Sequence, residues 1–90
     1  MNQSVLFPDQ CDWQEALGII TFPAQCQGAL IECFVAKSTL EHHLNTSLDT
    51  QAELNEAFEQ LRFDLEDIAE QKILDDDFDL QGRIEIAELN

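Results

Sequence analysis

The sequence predicts an α+β domain: a small, mainly antiparallel sheet packed against one short and one long amphipathic helix. The sheet is to consist of a β-hairpin with N- and C-terminal strands. Three observations carry this prediction. Two apolar runs that alternate with period two flank a short Pro/Gly loop within residues 17–36. A stripe with helical spacing then extends from Leu54 to Ala69. After Asp75-Asp76-Asp77 the period returns to two. Ninety residues make one domain, 1–90, because a second core would leave too few residues for each. A hydrophobic content of 44%, with six Phe and one Trp, is enough to build that core.

Taken in order, Val5-Leu6-Phe7 reads as a short strand stopped by Pro8-Asp9, and residues 9–15 as a polar turn that contains Trp13. Residues 17–22 read as a strand with Ile20 and Phe22 on one face and Ile19 and Thr21 on the other. Residues 23–28, from Pro23 to Gly28, read as the turn. Residues 29–36 form the return strand, with Ala29, Ile31, Cys33 and Val35 on one face and Leu30, Glu32 and Phe34 on the other. Ser38-Thr39-Leu40-Glu41 has the S-x-x-E pattern of a capping box, so a short helix is expected over about 39–45. Thr50-Gln51-Ala52-Glu53 repeats it as T-x-x-E. Behind it Leu54, Phe58, Leu61, Leu65 and Ile68, joined by Ala57 and Ala69, predict a helix over 51–74. In the final segment Leu80, Ile84 and Ile86 fall on one face and Asp79, Gln81, Arg83 and Glu85 on the other, which predicts the last strand.

Charge narrows the function classes. Four Lys and Arg against 19 Asp and Glu give a formal charge of −15. Direct nucleic-acid binding is disfavoured, because it requires cations against phosphates, and so is an anionic membrane surface. The imbalance is uneven: residues 1–48 hold 5 acids and 1 base, whereas residues 49–90 hold 14 acids and 3 bases. Residues 1–4 carry no base and no apolar run reaches membrane length, so a cytoplasmic location is expected. Cys11, Cys26 and Cys33 are odd in number and form no C-x-x-C motif, so three free thiols are expected. No cofactor motif is present.

The short strand with Phe7-Pro8, the Trp, the hairpin, Leu40-Glu41-His42, Phe58-Glu59-Gln60-Leu61-Arg62-Phe63-Asp64 and Phe78-Asp79-Leu80-Gln81-Gly82 together resemble a family of small proteobacterial proteins, domain-of-unknown-function family 1488. The resemblance spans nearly the whole chain. It implies a compact α+β domain with helices against an antiparallel sheet. No activity is established for that family, so it supplies no catalytic residues.

Several motifs need weighing. Asp77, Asp79, Gln81, Gly82, Ile84 and Glu88 align with the positions of an EF-hand loop. The alternation through Ile84 and Ile86 is that of a strand, however, and only two residues follow Glu88, so no exit helix is expected. Asp75, Asp77 and Asp79 are at most adventitious cation ligands. Acids there oppose the negative end of the long helix, only partly offset by Lys72. Adjacent His42 and His43 diverge on a helix and do not form a metal pair. Nothing marks a catalytic dyad.

The expected role is therefore a non-enzymatic interaction or regulatory module acting through its acidic helix face, with a basic protein partner and a possible homodimer. The alternatives are a small acid/base or metal-assisted enzyme and a nucleic-acid mimic that occupies a basic protein. The candidate interaction surface is Glu56, Glu59, Phe63, Asp67 and Glu70. At about 100° per residue, Phe63 points away from the apolar stripe and into these acids. A Phe left in water forfeits roughly 1.5–3 kcal/mol relative to burial, which calls for a cover from the chain itself or from a partner.

Overall fold

In the computed structural model, which describes residues 5–89, five strands form one sheet and two helices lie against a single face of it. The base-free start, residues 1–4, and Asn90 lie outside the described residues. The elements are β1 (Val5–Leu6), β2 (Asp12–Gln14), β3 (Ile19–Cys26), β4 (Ala29–Ala36), α1 (Lys37–Leu44), α2 (Gln51–Leu74) and β5 (Ile84–Ile86). The sheet order is β1-β3-β4-β5, and β2 pairs with the same strand, β3, as β1 does. All pairings are antiparallel except β4 with β5. A parallel neighbour requires a crossover, and α1 with α2 provides it.

The hairpin is longer than its sequence suggests, and its turn is shorter. β3 continues through Pro23 to Cys26, and only Gln27 and Gly28 form the turn, with φ of 52° and 84°. Two positive φ values match the twist of the flanking strands in a two-residue hairpin turn. Pro23 is tolerated because Cys26 pairs with Ala29 beside the turn. Counting back from that pair, the nitrogen of residue 23 faces away from β4. It meets the gap between β1, which reaches Gln25, and β2, which begins at Thr21. No ladder hydrogen bond is lost there.

Three further expectations are corrected. Residues 9–15 are not merely a turn, because Asp12–Gln14 pair with Ile19–Thr21 as β2. The segment reads as polar because an edge strand exposes both Asp12 and Gln14. The capping box at Ser38 does not form: β4 runs directly into α1, Ala36 occupies the N-cap, and Ser38 is already helical. Glu41 instead accepts from the Leu48 N–H at 2.9 Å and tethers the following loop. Leu80 does not belong to the last strand; it stands fully exposed in the turn before β5. That turn is held by Asp79, whose carboxylate accepts from the backbone N–H groups of Gln81 and Arg83 at 2.9 and 2.8 Å.

At Thr50 the capping box is complete. The Glu53 N–H donates to Thr50 Oγ1 at 3.1 Å, and Glu53 Oε1 accepts from the Thr50 and Asp49 N–H groups at 3.1 and 2.7 Å. At the other end the acid triplet stops the helix. Asp76 takes a left-handed φ of 56°, the Asp77 N–H reaches the Lys72 carbonyl at 2.8 Å and the Asp76 N–H reaches Ile73 at 3.1 Å. This is the Schellman arrangement, with an Asp at the position that glycine usually holds.

The core lies between α2 and two ribs of the sheet. Register aligns Phe22, Cys33 and Ile84 in one rib and Ile20, Val35 and Ile86 in the next. Leu54, Ala57, Phe58, Leu61, Leu65, Ala69 and Ile73 of α2 are buried with them, together with Leu40 of α1 and Leu48 of the loop. Phe58 meets Phe22 with 5.4 Å between ring centroids and a 59° tilt, a favourable aromatic geometry. No helix among the described residues is long and apolar enough to cross a membrane.

Two substitutions separate core from cap. Leu65→Ala is expected to cost about 2–5 kcal/mol through the cavity it leaves. Thr50→Ala is expected to cost about 1 kcal/mol, which lowers Tm by roughly 4–8 °C in a domain of this size. Thermal unfolding followed by circular dichroism checks both, and equal losses would contradict the assignment.

Candidate functional site

The stripe of α2 fixes its outward ridge by default. With Leu54, Leu61 and Leu65 pressed to the sheet, residues about 180° away face solvent. Phe63 is 78% exposed. Glu56, Glu59, Asp67 and Glu70 lie at i−7, i−4, i+4 and i+7 from it, within about 40° of its direction. Glu56, Glu59 and Asp67 are exposed and Glu70 is partly so. The five residues thus form one line along the helix.

Beside this ridge sits a feature that sequence reasoning missed. The Arg62 side chain is only 13% exposed. Its guanidinium lies 2.8 Å from Asp9, 3.5 Å from Glu59 and 3.9 Å from Glu66, with its carbon 5.5 Å from the centre of the Phe58 ring. The Arg62 Nε is buried without a hydrogen-bond partner. Burial pushes the Glu66 carboxyl above its ordinary range, partly offset by Arg62. The clasp ties residues 7–11, which leave the sheet between β1 and β2, to α2. Only the lone Arg among the acids of the Phe58–Asp64 segment hinted at it.

The other cations are also engaged. Lys37 is 3.9 Å from Glu41, and Lys72 is 3.1 Å from Asp77. Arg83 is 3.1 Å from Asp79 and 3.8 Å from Glu32, and it stacks on Phe34 at 4.6 Å. All four Lys and Arg of the chain are therefore held by its own carboxylates. Glu56, Asp64, Asp67 and Glu70 have no ion-pair partner among the described residues.

The residues proposed as adventitious cation ligands do not converge. Asp75 accepts from the Gln71 side chain at 3.2 Å, Asp77 pairs with Lys72, and Asp79 is bound by its own turn and Arg83. Among the described residues no three His, Cys, Asp or Glu side chains are arranged to hold a metal.

The sheet face without helices carries a second feature. Leu6, Gln25 and Leu30 lie in register across three strands, as do Asp12, Thr21 and Phe34. An open groove of about 350 Å³ runs here, lined by residues that include Cys11, Thr21, Pro23, Leu30 and Glu32. Burial raises the pKa of the Cys11 thiol, so it stays protonated rather than becoming the thiolate that nucleophilic chemistry uses. Cys33, deeper in the core, is pushed up to about 12 by burial. His42 and His43 line a different hollow, with Ser38, Thr39 and Glu88. The groove therefore brings no Cys and His together.

The family model for a protein of unknown function (DUF1488) matches residues 5–86. The chain belongs to this family. It is 34% identical over 82 residues to the uncharacterized protein YrdB of Escherichia coli (strain K12), covering 91% of this chain and 94% of that one. YrdB of Shigella flexneri is 33% identical over the same shares. A crystal structure of a family protein of unknown function from Shewanella loihica PV-4 superposes with a TM-score of 0.94 at 38% identity, covering 100% of this chain and 99% of that chain. The α+β fold and the sheet-on-helix arrangement are thus those of the family.

The Asp79 turn gives a pH prediction. The backbone N–H of Arg83, then that of Gln81 and the Arg83 side chain, hold the Asp79 carboxyl below its ordinary 3.8. A carboxyl lowered in the fold stabilises it above the ordinary pKa, and this stabilisation is lost as pH falls through the folded value. Asp79→Asn should be less stable than the parent at neutral pH, and the gap should close as pH falls below the ordinary 3.8 and through the lowered folded value. Urea unfolding at stepped pH measures it; a gap independent of pH would refute the role.

Proposed function

We propose that the protein is a non-enzymatic interaction or regulatory module that docks a basic protein partner on the outward ridge of α2. One observation carries this reading: every Lys and Arg is already paired within the chain, while Glu56, Asp64, Asp67 and Glu70, without an ion-pair partner among the described residues, surround or flank the exposed Phe63. An acidic field of this kind draws cationic partners and raises their association rate. Phe63 adds an apolar anchor that can be desolvated at the centre of a polar rim. A net charge of −15 exceeds the roughly 2–8 that solubility asks of a small domain. The same charge opposes a second copy on this ridge, since that copy brings no free Lys or Arg.

The test is capture by the tagged chain at two salt concentrations. A Lys/Arg-rich protein retained at about 0.1 M salt and released at about 1 M is expected, because surface attraction is screened over that range. Phe63→Ala should lose the capture with Tm unchanged. Capture that persists after Glu56, Asp67 and Glu70 are all replaced by Lys would sink the proposal.

A further inference from the structure

The ridge carries a second apolar side chain. Leu74 is 55% exposed, eleven residues beyond Phe63. Eleven residues turn a helix through about 1,100°, so Leu74 lies within about 20° of the direction of Phe63 and about 16 Å further along the axis. Asp67 and Glu70 lie between them, and Glu56 precedes both. Phe63 and Leu74 are the exposed large apolar side chains of α2.

We infer that the occupant of this ridge is a basic amphipathic helix of another protein, lying along α2, and this rests on the docking reading above. Its apolar side chains sit on Phe63 and Leu74, and its Lys and Arg face Glu56, Asp67 and Glu70. The charge of the ridge selects the cationic flanks. The spacing of the anchors selects the conformation. An extended segment rises about 3.4 Å per residue, so about five residues span the gap. Residues five apart in a strand point to opposite faces, while four or six miss an anchor by about 3–4 Å. A helix covers the same distance in eleven residues that return almost to one side, which allows two helices to pack side by side along the ridge. A second copy of this chain has no unpaired Lys or Arg to supply the flanks.

The probes are two synthetic peptides of identical Leu and Lys composition, titrated into the full chain and followed by backbone amide NMR and circular dichroism. One places Leu at helical spacing that includes i and i+11; the other alternates Leu and Lys. The helix-patterned peptide should bind about tenfold or more tightly than the other, gain helicity, and shift amides around both Phe63 and Leu74. Phe63→Ala with Leu74→Ala, both exposed and both helix-compatible, should weaken it by about tenfold or more. Equal affinities for the two peptides, lost on Lys substitution of Glu56, Asp67 and Glu70, would overturn the helical occupant and leave the acidic docking surface standing. Binding of neither peptide, or binding indifferent to that charge reversal, would overturn both. Self-association of the free chain in sedimentation, abolished by Phe63→Ala, would assign the ridge to a second copy and overturn the inference.

Discussion

The packing of α2 across the inner face of the sheet, with Phe58 set on Phe22 at 5.4 Å, is the constraint on which the other elements depend. β1, β2 and β5 have only two or three residues each, too few to persist without a packed face behind them. β5 joins β4 in parallel, which is possible only because α1 and α2 return the chain to the same end. Ile84 and Ile86 then complete the two ribs and are buried in one core with Leu61, Leu65 and Ala69. The contact between helix and ribs therefore supplies the packed face that these short strands need.

Electrostatics follow from that packing. Four cations are distributed as clips rather than as a patch. Arg62 fastens the departing loop to α2, Arg83 fastens the turn before β5 to the open sheet face, Lys72 fastens the helix stop, and Lys37 lies one turn from Glu41. Exposed pairs of this kind contribute little individually. Their consequence is distributional: with each base engaged locally, Glu56, Asp67 and Glu70 are left without an ion-pair partner among the described residues on the helical face that the core does not use. Self-repulsion along that face is the cost, and salt screening relieves it.

The functional reading grows from the same geometry. A helix buried on one side and acidic on the other needs no further account. The apolar residues that interrupt the acidic side, Phe63 and Leu74, lie along a single line, and packing against the sheet does not explain them. The open sheet face offers a different chemistry, with the exposed Leu6, the Arg83–Phe34 stack and a shallow groove lined in part by Leu30 and Glu32. Burial raises the pKa of its Cys11 thiol, and His42 and His43 line a different hollow.

By itself the sequence determined the fold class, the bounds of β4 and α2, the Thr50–Glu53 cap and the direction of Phe63. Each of these follows from local periodicity or from hydrogen bonds within four residues, which a chain carries wherever it is placed. Only tertiary structure decided the rest. Asp12–Gln14 became a strand because β3 offered an edge. Pro23 stayed within β3 because the gap between β1 and β2 spared its missing N–H. Ser38 could not cap because β4 ran into α1, and Leu80 left the last strand because Asp79 closed a turn on Arg83. The Arg62 clasp joins residues 53 positions apart, a separation that no local pattern encodes. Which acids remained unpaired was likewise settled by where four long cationic side chains came to rest, and that depends on every neighbour the fold supplies.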